Sequence, residues 1–270
     1  MTQISRRRNF MLCMNSCTAM ILSKCLLIII KTLPLFALAK TTETTLLIQK
    51  GVFDLNIPDT HWSTDLVVIF YSLPPFISLI IAIISLIAIK SFSLYNTTLR
   101  LLIIWLFLIA WTDLCLAIFA GLITREGLGY VAQYLYLPET MYLIGAIISL
   151  LLLPLGAFFT LSTIDELQKQ ICPEIPYMRD KQFITPTITL PVMINILIAF
   201  SAYQRFELLN IIGYFFLLVG VCPIILSGTY YSAPYAEIIK QRTFPPIIQY
   251  ALSIAGAITI ILINRNDLRL

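Results

Sequence analysis

Along this chain apolar residues gather in long unbroken runs, and polar residues fall between the runs rather than alternating within them. Six runs stand out: Leu66–Ile89, Leu101–Ile123, Thr140–Thr163, Phe183–Tyr203, Leu208–Tyr231 and Pro245–Asn264, each of 20 to 24 residues. That length of α-helix crosses about 30 Å of hydrocarbon. Barrel strands would be shorter and would alternate with period two, so the pattern predicts helices. Trp62, Tyr130, Tyr134, Tyr136, Tyr177, Tyr203, Tyr230, Tyr231 and Tyr235 sit at or just beyond the ends of the runs. Amphipathic rings settle there, at headgroup depth. The Tyr-rich stretch 127–138 fits a short helix lying on the membrane surface.

The charges sharpen the picture. The chain carries 18 Lys+Arg and 14 Asp+Glu, and of all these only Asp113 lies inside one of the six runs. A bilayer enforces that sorting, because an ionised group at mid-depth costs several kcal/mol. Composition agrees, at 59% hydrophobic and 12% charged. Soluble domains carry about a quarter charged residues, so a soluble enzyme is excluded in all but name. An aromatic content of 12% also excludes disorder. A net charge of +4 suits a membrane surface better than a nucleic acid, and no nucleic-acid partner is expected. The fold class predicted is all-α: a polytopic membrane helical bundle with six transmembrane helices, or seven if the N-terminal hydrophobic segment is retained.

Residues 1–39 read as a signal peptide or signal anchor. Arg6–Arg8 and Lys24 form a basic front, Cys25–Ile30 and Leu33–Ala39 an apolar stretch, and Ala37-Leu38-Ala39 a small-x-small cleavage pattern. Lys31 breaks the apolar stretch, which favours a cleaved signal over a retained helix. Either way residues 40–65 form a short extracytoplasmic segment, with Thr41–Ile48 and Gly51–Leu55 as two candidate strands, and residues 66–270 form the membrane domain. The loops Lys90–Arg100, Ile164–Gln182 and Ser232–Phe244 then face the cytoplasm. They hold seven basic residues against six on the other side, which fits the positive-inside preference in a bacterial inner (plasma) membrane.

Small residues mark packing faces: Ala110, Asp113, Ala117 and Gly121 in the second run, and Gly145, Ser149 and Gly156 in the third. Pro74, Pro75, Pro154, Pro191 and Pro223 remove backbone donors and are expected to kink their helices. Asp113 lies near mid-depth on the small-residue stripe and so points into the bundle. With no Lys, Arg or His in any of the six runs, it is expected to be protonated or to hold a transient cation. Asn195 is its best hydrogen-bonding partner. Ser78, Ser149, Cys222 and Ser253 complete a candidate polar layer, one per helix.

Other chemistry is poorly supported. The cysteines at 13, 17, 25, 115, 172 and 222 form no C-x-x-C, and the sole histidine, His61, cannot make a zinc-protease helix motif. One membrane carboxylate cannot make an aspartyl dyad. No phosphate-binding loop is present, and no cofactor or metal is expected. Asp165, Glu166 and Lys169 read as a solvated helix end. Two functions remain open. One is a small permease-like protein with a proton or ion site at Asp113 and Asn195. The other is a non-catalytic scaffold or subunit of a membrane protein complex, contacting a partner through the Ile164–Gln182 loop.

Overall fold

The structure is a computed structural model that describes residues 3–49, 52–57, 62–91, 97–171, 181–202 and 208–227, with single positions 251, 254, 255, 258, 268 and 269. Eight α-helices are described: α1 (Gln3–Thr41), α2 (Thr64–Ser91), α3 (Thr97–Thr124), α4 (Leu128–Tyr134), α5 (Glu139–Ile171), α6 (Lys181–Ile184), α7 (Leu190–Ala202) and α8 (Leu208–Ser227). A π-helical turn, Thr185–Thr189, joins α6 to α7. Three short strands, β1 (Leu46–Gln49), β2 (Val52–Leu55) and β3 (Leu268–Arg269), make an antiparallel sheet in the order β2-β1-β3.

Four helical stretches are long and apolar enough to cross a membrane: Phe10–Thr41, Thr64–Ser91, Thr97–Thr124 and Glu139–Gln170. That marks the chain as an integral membrane protein. Helix is the form such segments take, because oil offers no partner for an open backbone group. The first three predicted runs appear as α2, α3 and α5. The predicted run Phe183–Tyr203 is divided between α6, the π turn and α7, and Leu208–Tyr231 appears as α8 up to Ser227. Two of these pieces, Thr185–Leu197 and Ile212–Ser227, are shorter apolar helices. The run Pro245–Asn264 lies outside the described residues apart from isolated positions.

The prolines act unevenly. α2 continues through Pro74 and Pro75, α5 through Pro154 and α8 through Pro223. Pro186, within the π-helical turn, and Pro191, two residues past its end, mark the irregular helical segment among the described residues. In an α-helix the Thr187 carbonyl would accept from the N–H of residue 191, and proline has none. The Ser16 hydroxyl of α1 donates to that carbonyl instead.

α3 is the central helix, packed against α1, α2, α4, α5 and α8. It is apolar all round, as a helix enclosed by neighbours should be. Its Leu101, Ile104, Trp105, Phe107, Leu108 and Ala110 join Ile81 and Ala82 of α2, Ala157 and Ile164 of α5, and Leu12, Ala19, Met20 and Leu27 of α1 in the main core. Leu35 and Ala39 of α1 pack with Leu46 and Ile48 of β1, Leu55 of β2 and Phe70 of α2 in a second cluster. Gly156 of α5 lies so close to α3 that a Cβ there would meet Trp111 Cδ1 at 2.3 Å. A Cβ on Gly129 of α4 would meet the Gly121 carbonyl oxygen at 2.2 Å. The small-residue stripes are thus places where backbone and ring approach directly.

Candidate functional site

Asp113 projects from α3 toward α1 and α2. The Lys31 ammonium of α1 pairs with its Oδ2, and Ser78 Oγ of α2 donates to the same oxygen at 2.7 Å. The acid that lacks a cation among the six runs therefore has one on a further apolar helix, and the expectation of an unaccompanied carboxyl is corrected. Helix position explains the match. Lys31 stands ten residues before the end of α1 and Asp113 eleven before the end of α3. At 1.5 Å rise per residue, parallel helices bring the two to the same depth.

The two side chains are unequally covered. Lys31 is 9% exposed and Asp113 35%. Ser78 is fully buried, and its oxygen also lies 3.1 Å from the Pro74 carbonyl. A hydroxyl has one proton to give. Beside a carboxylate it donates to Asp113. Beside a carboxylic acid it accepts from Asp113 and turns its own proton to Pro74. Ser78 thus adapts to either protonation state without moving its oxygen.

The remaining candidates separate. Asn195 is buried on α7, but no hydrogen bond joins it to Asp113. Ser149 is buried and donates to the Ala146 carbonyl of its own helix at 2.8 Å. Cys222 is exposed. Ser253 and His61 lie outside the described residues. Among the described members of the polar layer read from depth, Ser78 is the one that hydrogen-bonds Asp113.

Two polar contacts were not foreseen. Arg100, buried in the first turn of α3, pairs with Glu166 near the end of α5. Glu166 is thus half of an interhelical ion pair rather than simply part of a solvated helix end. Trp105 Nε1 donates to Ser16 Oγ at 2.8 Å, extending the chain of hydrogen bonds from α3 through α1 to the π turn. Ser23 Oγ of α1 lies 2.9 Å from the Leu102 carbonyl.

The described cysteines, 13, 17, 25, 115 and 222, form no disulfide with one another, and Cys172 lies outside the described residues. Among the described residues no group of His, Cys, Asp or Glu is arranged to hold a metal. No protein family, curated protein or solved structure matches the chain.

Proposed function

We propose that this is a small permease-like membrane protein in which Asp113 exchanges protons while Lys31 and Ser78 hold it. The observation that carries the reading is the unequal cover of the ion pair: Lys31 is 9% exposed, whereas Asp113 is 35% exposed. A buried cation fixes the site, and the carboxyl, the less covered partner, is the one this reading assigns to proton exchange. Protonation releases Lys31 from its counter-ion, a large electrostatic change at a junction of three helices. Purified protein in liposomes containing a pH-sensitive dye tests the reading. Wild type should pass protons under an imposed potential well above empty vesicles, and Asp113→Asn should lower the flux by about a hundredfold, the lower range of general acid–base contributions. Equal flux in the variant would end it.

The reading includes α1 as a retained helix, giving seven crossings in a membrane of the bacterial inner type. Two observations support this. α1 supplies the counter-ion and part of both cores. β3 pairs with β1, so residues 49 and 268 lie on one side, and the chain between them crosses an even number of times. With α2, α3 and α5 as three crossings, this reading expects an odd number to follow. Three fit, through the α6–α7 segment, α8 and the predicted run 245–264.

A second reading, a non-catalytic subunit of a membrane complex, draws on the same ion pair as a clasp that closes α1 onto α3. It expects a second protein to copurify in mild detergent, and an Asp113→Asn variant that keeps its activity within the complex.

A further inference from the structure

Lys24 is a second cation in the apolar part of α1. It lies seven residues from Lys31, two helical turns, so the two share a face about 10 Å apart along the axis. One carboxylate serves both. Asp113 is taken by Lys31, and among the described residues no carboxylate stands within 4.0 Å of the Lys24 ammonium. What Lys24 faces is the Tyr214 ring of α8, with its Nζ 5.6 Å from the ring centroid. With all three groups ionised the cluster carries one uncompensated positive charge, and such a charge in apolar surroundings is costly.

We infer that Lys24 is the seat of a small monoanion carried together with the proton on Asp113, an inference that rests on the proton-site reading above. The electrostatics couple the two. When Asp113 takes a proton, Lys31 loses its countercharge, and the cluster rises from one net positive charge to two. Anion binding near Lys24 then becomes more favourable, and such coupling between two sites is reciprocal. One proton and one monoanion enter and leave as a neutral pair, which removes the cost of carrying either alone through oil. Lys24 is partly covered and turned to a ring of its own bundle rather than fully open. That favours a small anion reaching it between helices over an acidic side chain on a separate partner helix.

The same dye-loaded proteoliposomes test this with chloride, nitrate and gluconate as the sodium salts. Chloride or nitrate should raise the Asp113-dependent proton flux by about 5-fold or more over gluconate, the lower end of ordinary coupling between sites. Lys24→Met should lose that stimulation and Lys24→Arg should keep it, which separates loss of charge from loss of fold. Equal flux in all three salts, with the Asp113 dependence intact, would overturn the anion site and leave the proton site standing. If no Asp113-dependent flux exists, the proton reading falls, and melting in detergent decides Lys24 alone. A wild-type melting temperature higher in chloride or nitrate than in gluconate, with the difference lost in Lys24→Met, supports the seat. No difference between salts overturns it.

Discussion

Two ion pairs with the same kind of chemistry sit in different solvents here. Arg125 and Glu139 join the loop after α3 to the start of α5 at 3.0 Å, with their side chains 63% and 87% exposed. Lys31 and Asp113 join α1 to α3, with 9% and 35% exposed. The first pair can be traded for two hydrated ions at almost no cost. The second has no such exchange, because Lys31, once unpaired, would be a charge buried among helices. The surface pair decorates a turn, while the interior pair ties α1 to α3 within the packed helices. Location, and not distance between the charges, sets the energetic weight of a salt bridge.

The sharpest way to break this contrast is Lys31→Met. It leaves the Asp113 carboxylate without a cation, and breaking a buried pair from one side costs about 3–5 kcal/mol. Ser78 and proton uptake by Asp113 soften the loss, so the lower end is expected in denaturation of the purified protein. A change below about 1 kcal/mol would place the pair with the surface kind. Gly156→Ala should come next. The new methyl meets the Trp111 ring at 2.3 Å from Cδ1, and overpacking of this sort costs about 1–3 kcal/mol. Normal stability there would mean that α3 and α5 approach less closely than described. Smallest of all is Arg125→Ala, expected to change stability by about 0.5 kcal/mol or less. A larger loss would erase the distinction between the two pairs.

Much of the architecture was legible because hydrocarbon imposes a coarse rule that residue type alone satisfies. The runs that became α2, α3 and α5 are readable from charge sorting; the strand 52–55 falls inside the predicted stretch 51–55, and the strand 46–49 overlaps the end of the stretch 41–48 and runs one residue past it. Asp113 stood out for the same reason. Its partner did not, because Lys31 interrupts an apolar stretch with a cleavage-like end and so weighs against a resident helix. The signal was nevertheless there: a lysine placed as far from one end of its helix as the acid is from the end of another. Arg100 and Glu166 carried a similar clue, since a helix beginning at one face and another ending there put these residues at equal depth. Asn195 and Cys222 show the limit of depth, because a residue placed at the right level need not hydrogen-bond Asp113, and neither of these does. The π turn at Thr185–Thr189 was hinted at only by prolines five apart. Four other proline sites, Pro34, Pro74–Pro75, Pro154 and Pro223, left their helices continuous, so that signal alone could not say which would yield.

Exchanging the two charges tests the account most directly. In purified protein, Lys31→Asp alone and Asp113→Lys alone should each lower the melting temperature strongly, since each places two like charges side by side. The double variant Lys31→Asp/Asp113→Lys should recover most of that loss. If the double variant melts no higher than the worse of the two single ones, the residues do not meet inside the membrane, and α1 is not the helix that completes this bundle.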